Sequence, residues 1–148
     1  MSDMSMTERL ALYRLLVEQA NVIATARRES NRFFLTFNTT VFGGLGLLYS
    51  NHINFPAEFL MALAVGMVVV SAIWFFLIGY YGRIARAKFQ VVFEVEKAFD
   101  IQPFAMEERK VWQGAPFMIS ATTMESLLPA LFSIGYAALA VQIALSHP

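Results

Sequence analysis

Long apolar stretches separated by charged segments dominate the chain. Residues 59–82 and 127–146 are almost entirely apolar, and each is about as long as the roughly 20 residues that a helix needs to cross a bilayer. Residues 33–50 form a shorter apolar stretch, which Arg32 can extend by reaching back to the headgroups. We therefore predict an all-α membrane protein with three transmembrane helices at 33–50, 59–82 and 127–146.

The segment 7–30 has the periodicity of an amphipathic helix. Five polar residues recur at steps of three and four, which places them on one face. The other faces are mostly apolar, so this helix is expected to pack against other helices or the membrane surface. Thr7 is the predicted N-cap. The polar stripe consists of Arg14, Glu18, Asn21, Thr25 and Arg28.

The second span continues without a proline into a charged helical region, 83–113. A polar stripe again follows one face, and apolar residues cover most of the rest, so this extension needs neighbours. We expect it to form a cytoplasmic helical bundle with the helix 7–30. A turn at 100–103 precedes a short helix, and Ser126 and Pro129 are predicted to lie at the N-cap and in the first turn of the last span. The stripe consists of Arg83, Arg86, Gln90, Glu94 and Lys97.

Composition supports a single membrane domain. The chain has 148 residues, of which 57% are hydrophobic, above the usual level for a soluble protein. Its 11 basic residues balance 11 acidic ones, so duplex nucleic-acid binding is not expected. There is no cysteine, which excludes disulfides and thiolate chemistry. The first 32 residues are charged and do not fit a cleavable signal peptide, so we expect the N-terminus to be kept.

The placement of positive charge predicts the topology. All basic residues lie either before the first span or between the second and third. Three crossings would place every one of them on the same side, as the positive-inside tendency requires. The predicted arrangement is a bacterial inner-membrane protein with a cytoplasmic N-terminus and an external C-terminus.

Small and polar residues form a stripe on the first span, and this stripe has two interpretations. Small residues let helices approach closely in lipid. The same residues would tolerate water along a path at the centre of a homo-oligomer of four or more subunits. Asn38, off this stripe, is a candidate hydrogen-bonding contact between spans, because an isolated amide in lipid is costly. The stripe consists of Thr36, Thr39, Gly43, Gly46 and Ser50.

Basic residues gather near the predicted inner surface. They can set topology and contact anionic lipid, or they can bind an anionic ligand such as a nucleotide, since arginine suits phosphate. Arg27 and Lys88 lie off the polar stripes, and Glu96 and Glu125 are candidate buried partners for their charges. The gathered residues are Arg27, Arg28, Arg32, Arg83, Arg86 and Lys88.

No enzyme signature is visible. His52 and His147 are the only histidines, and both are predicted to be far from the acidic residues, so we assign no catalytic residue, no metal site and no cofactor. The spans have no ionisable residue near their centres, which argues against a proton-coupled transporter.

Three residue groups resemble a known family over most of the chain: Arg27-Arg28 with Asn31 and Phe33-Phe34, Lys88-Phe89 with Glu94 and Glu96, and Glu125 with Pro129, Phe132 and Tyr136. The chain is similar to small bacterial multi-span inner-membrane effectors associated with antiphage defence loci, such as the Hailong membrane effector. It differs at 82–85, where a more polar stretch is expected. The resemblance implies an oligomeric ion channel that responds to a nucleotide or oligonucleotide signal from a partner nucleotidyltransferase.

The leading hypothesis is therefore an oligomeric membrane effector that forms or gates an ion-conducting path in antiphage defence. The alternative is a non-conducting structural or regulatory membrane protein that anchors a cytosolic partner through the region 83–113.

Overall fold

The structure is a computed structural model that describes residues 5–51, 55–97, 99, 102–114 and 121–146. Within these ranges the chain forms four helices: α1 (Met6–Ser50), α2 (Ala57–Glu96), α3 (Pro103–Gly114) and α4 (Ala121–Ser146). The predicted all-α class is confirmed.

Helix α1 begins with a reciprocal cap. The Ser5 hydroxyl accepts from the Glu8 amide at 3.3 Å, and the Ser5 amide donates to the Glu8 carboxylate at 2.8 Å. This is a capping box, so the prediction of Thr7 as the N-cap is wrong by two positions. The capping residue is Ser5, two positions before Thr7, and its hydroxyl accepts from the backbone of the first turn.

A single helix of 45 residues joins the predicted segments 7–30 and 33–50. No glycine or proline occurs in α1 before Gly43, so nothing in the sequence interrupts the backbone hydrogen bonds between the two segments. The amphipathic segment and the first predicted span are therefore parts of one element.

Helix α2 is also continuous, with 40 residues and a length of about 60 Å. It passes through Gly79 and Gly82 without a break, so the structure answers a question that the sequence leaves open, namely whether the second span and its extension are one helix. In its apolar half, buried residues recur at steps of three and four, which gives α2 one packed face. These residues are Ala64, Met67, Ser71, Trp74 and Ile78.

Helix α4 starts earlier than predicted. The Ser126 hydroxyl donates to the Thr122 carbonyl at 2.7 Å instead of capping the helix, and Pro129 lies inside the helix and not in its first turn. A proline there cannot donate to the carbonyl of Glu125. Packing compensates for that loss, because Pro129 is fully buried.

One compact unit contains α1 up to Arg27, α2 from Tyr80 onward, and α3. The structure thus brings together the segments predicted to form a bundle. Its core includes Ala20, Val92 and Val95, and the Tyr13 ring meets Phe99 edge to face at 5.6 Å. Every residue of the polar stripes predicted for 7–30 and for the α2 extension is exposed, which confirms the helical phase of both segments.

The second unit contains α1 from Arg28, α2 up to Gly79, and α4. Trp74 and Tyr136 are its largest fully buried side chains. Trp74 stacks on Phe34 with ring centroids 5.9 Å apart, and Tyr136 meets Phe42 edge to face at 5.9 Å. Aromatic packing therefore joins α1 to both α2 and α4 within this unit.

Two of the described helices are long and apolar enough to cross a membrane, α2 and the segment Thr122–Ser146. Their most apolar windows have mean hydropathies of 2.6 and 1.8, and only 28% and 11% of those windows are buried inside the protomer. Most of this apolar surface is therefore exposed in the protomer. The predicted span 33–50 is not among the two, so a third crossing remains a prediction.

Candidate functional site

A buried polar junction ties the three helices of the second unit together. Asn38, Ser71 and Tyr136 are all fully buried. The Ser71 hydroxyl donates to the Asn38 side-chain oxygen at 3.1 Å, and the Tyr136 hydroxyl donates to the Asn38 main-chain oxygen at 3.1 Å. The Asn38 amide itself donates to the Phe34 carbonyl at 2.9 Å. The structure thus places Asn38 between helices, where the sequence had suggested a contact between spans.

A second polar chain lies nearby, among residues of the same three helices. The Trp74 indole donates to the Asn31 side-chain oxygen at 3.0 Å, and the Asn31 amide donates to a Glu125 carboxylate oxygen at 2.7 Å. These two bonds fix which end of the Asn31 amide faces each partner, because the oxygen can only accept and the nitrogen can only donate.

An exposed strip runs along α1. The two stripes predicted for the halves of α1 lie on one continuous helix. Exposed Arg32 lies four residues after Arg28, the last residue of the first stripe, and four residues before Thr36, the first residue of the second. Polar or small residues therefore recur at helical spacing along most of the helix, and all of them are exposed in the protomer. The strip consists of Arg14, Glu18, Asn21, Thr25, Arg28, Arg32, Thr36, Thr39, Gly43, Gly46 and Ser50.

The part of this strip from Thr36 to Ser50 is open. A Cβ atom added at Gly43 or Gly46 would meet nothing within 4 Å. The Thr39 hydroxyl donates to the Leu35 carbonyl at 2.7 Å, and the Ser50 hydroxyl donates to the Leu47 carbonyl at 2.9 Å. The hydroxyl protons are directed into the helix, so the oxygens remain as outward acceptors for water, ions or another helix.

The predicted cationic residues fall in both units. In the second unit, Arg28 and Arg32 are exposed and line a pocket of about 220 Å³ together with Glu125 and four other residues. In the first unit, Arg83 and Arg86 are exposed, whereas Arg27 and Lys88 are half-buried. Lys88 donates to the Gln19 side-chain oxygen at 3.0 Å.

Glu96, a candidate buried partner for these cations, is 1% exposed. It accepts from the Tyr13 hydroxyl at 2.9 Å and from the Phe104 amide at 3.1 Å. The second bond caps the first turn of α3, where backbone amides otherwise lack partners. Burial, the hydrogen bond to Glu96 and the charge of Glu96 together raise the pKa of Tyr13 from 10.0 to about 12.

Sequence reasoning missed Ser71, Trp74 and Tyr13 as members of these networks. The burial of Ser71 could have been predicted, because it is a polar residue three positions from Trp74 and four from Met67, on the apolar face of α2. Nothing in the spacing indicates that Tyr13 should find a carboxylate 83 positions away. Among the described residues, no three histidine or acidic side chains are grouped so that they could hold a metal ion.

A comparison with protein families identifies the family of this chain. The model of the octameric membrane protein family (8xMP) matches residues 10–145, which is nearly the whole chain. The chain belongs to the octameric membrane protein family. It is accordingly an oligomeric membrane protein whose surroundings include a lipid bilayer. No curated protein and no solved structure gives a significant match.

Family membership explains the exposed surfaces. In a member of an octameric membrane protein family, apolar surface left open by the protomer is expected to contact lipid or neighbouring copies. The exposed strip of α1 differs from that surface because it is polar or small along its length. It is therefore the part of the protomer least suited to face lipid chains.

Proposed function

We propose that this chain forms an eight-subunit ring in a bacterial inner membrane and that the ring forms or gates an ion-conducting path. The observation that supports it is the exposed strip of α1 between Thr36 and Ser50, in a family named for its octameric assembly. No catalytic residue and no cofactor is part of this function.

In this proposal the segment 33–50 is the third membrane crossing. Its polar and small face turns from lipid toward neighbouring copies and the path that they enclose, because exposed oxygen atoms and glycine backbone tolerate water better than hydrocarbon. The more apolar α2 and α4 provide the lipid-facing surface. In this proposal the basic residues flanking the spans lie in the cytoplasm, so the N-terminus is cytoplasmic and the C-terminus is external.

Native mass spectrometry of the purified complex tests the assembly. Eight copies per particle would support the ring, whereas a monomer or dimer in mild detergent would contradict it, since so few helices cannot enclose a path. Reporter fusions at the two termini test the orientation, and an external N-terminus would overturn it.

Planar-bilayer recording of the reconstituted protein tests conduction, and Gly43→Leu identifies the surface responsible. A Cβ atom at Gly43 meets nothing within 4 Å in the protomer and the residue is exposed, so the change should leave the protomer folded and act between copies. If the strip lines the path, assembly persists and conductance changes. If the strip is only a packing surface, the assembly itself is lost.

Gly66→Leu is the matched control. Gly66 is exposed, lies in the apolar part of α2 and has equally open surroundings. Gly66→Leu should alter neither assembly nor conductance if the effect of Gly43→Leu depends on the exposed strip of α1. Equal effects of the two changes would show that bulk anywhere on the membrane surface is sufficient, and the proposal would lose its main support.

The role in antiphage defence and the nucleotide-derived signal rest on the resemblance to defence effectors stated above. Exposed Arg83 and Arg86 are the residues of the first unit that would meet such a signal. Expression together with a candidate partner nucleotidyltransferase, followed by a membrane-potential dye during phage infection, tests this role. An unchanged potential and unchanged phage growth would refute it.

A non-conducting anchor for a cytosolic partner is the alternative, and one observation favours it. Helix α3 exposes Met106, Glu107, Arg109 and Lys110, and of these methionine and arginine are enriched at protein interfaces. A stoichiometric soluble partner recovered with the complex, together with an unchanged ion permeability, would support the anchor over the channel.

A further inference from the structure

The pocket beside Arg28 and Arg32 has the charge pattern of a zwitterion-binding site. Two guanidinium groups of α1 and one carboxylate of α4, Glu125, line the same cavity of about 220 Å³. Guanidinium groups bind phosphate oxygens with charge-assisted hydrogen bonds. A carboxylate at the same site opposes ligands with several negative charges and favours one that also carries a cation.

The wall that holds this carboxylate contains half-buried Asn31 and buried Trp74. Asn31 donates to Glu125 at 2.7 Å and is itself held by the indole of Trp74, which is 1% exposed and stacked on Phe34. The carboxylate position is therefore set by packed residues, although the pocket is open. Asn31 acts as a positioning residue for Glu125.

The size and rim of the pocket indicate where the ligand comes from. Its volume is below the 300–1,000 Å³ typical of pockets for whole small molecules, so it matches a lipid headgroup better than a whole nucleotide. Leu35 and Leu128 also line the pocket, and both are exposed. An apolar rim beside charged groups at the end of apolar helices suits a lipid, whose headgroup enters while its chains remain outside.

We propose that this pocket binds the phosphoethanolamine headgroup of a phospholipid, with the phosphodiester on Arg28 and Arg32 and the ammonium on Glu125. Phosphatidylcholine carries the same phosphate, but its quaternary ammonium has no N–H to donate to the carboxylate. Phosphatidylglycerol has no cation. The site requires only the membrane setting and does not depend on ion conduction by the ring.

Native mass spectrometry of the intact complex with added phosphatidylethanolamine, phosphatidylcholine or phosphatidylglycerol tests the proposal. The wild type should retain phosphatidylethanolamine best. Glu125→Gln should weaken that lipid about tenfold, to the level of phosphatidylcholine, the usual effect of losing one charged hydrogen bond. Arg32→Gln should weaken all three lipids and leave the fold intact, because Arg32 is exposed.

Arg109→Gln is the matched control, since this exposed arginine of α3 lies outside the pocket, and it should change nothing. Equal retention of the three lipids by the wild type would overturn the proposal, as would an unchanged preference in Glu125→Gln. Competition with adenosine monophosphate separates a soluble source from a lipid source. Displacement of the lipid by the nucleotide would also overturn the proposal, whatever the result for conduction.

Discussion

The buried junction at Asn38 yields a prediction that separates side-chain from main-chain hydrogen bonding. Ser71 binds the side chain of Asn38, whereas Tyr136 binds its main-chain oxygen. Replacing Asn38 with leucine removes the first acceptor and keeps the second. Ser71→Ala should therefore be strongly non-additive with Asn38→Leu, and Tyr136→Phe should be nearly additive with it.

The burial of these residues sets the expected coupling energies. Hydrogen bonds between membrane helices contribute about 0.6 kcal/mol on average and up to about 1.7 kcal/mol. Because Ser71 and Asn38 are both fully buried, water cannot replace the lost partner, and we expect a coupling of about 1 kcal/mol between them. The coupling of Tyr136→Phe with Asn38→Leu should be below about 0.5 kcal/mol.

Reversible unfolding in mixed detergent micelles measures these energies, with Trp74 fluorescence as the probe because this indole is buried in the same unit. Ser146→Ala is the control. Its hydroxyl is exposed and donates only to its own helix at Gln142, so its loss should cost little. A coupling of Ser71 with Asn38 no larger than that of Tyr136 would refute the reasoning.

Three further predictions concern the first unit and the start of α1. Tyr13 should ionise near pH 12, seen as a late step in ultraviolet titration that Tyr13→Phe removes. Its contribution to stability is complete below pH 10 and declines between pH 10 and 12. If Tyr13→Phe instead removed the absorbance change near pH 10 and kept the late step, the assignment would be wrong. Glu96→Ala should destabilise the unit by about 1–3 kcal/mol, because it leaves two part-buried donors, the Tyr13 hydroxyl and the Phe104 amide, without an acceptor. Hydrogen exchange of α3 measures this, and exposed Glu94→Ala is the control. Equal exchange in the two variants would count against the cap. Ser5→Ala should speed hydrogen exchange in the first turn of α1, and no change on substitution would show that the capping box is not formed. Hydrogen bonds from Ser5 lower the pKa of Glu8 below 4.5, so the wild-type cap should weaken only as the pH falls below 4.5.

Periodicity within single helices was enough to determine much of this protein. The apolar lengths of α2 and α4 predicted the membrane class, which the family match supports. The spacing of polar residues predicted which faces of α1 and α2 are exposed, as the structure confirms. These properties follow from the 3.6-residue period of the helix and from the exclusion of charge from apolar surroundings. Both are local, so a single sequence is sufficient to predict them.

Tertiary structure decided which distant side chains meet. Glu96 had been proposed as a partner for the cations, and its carboxylate is held by Tyr13 and by the first turn of α3. Glu125 joins a chain through Asn31 to Trp74. A hydrogen bond between residues far apart depends on where separate helices come together, and periodicity along one helix carries no information about that position.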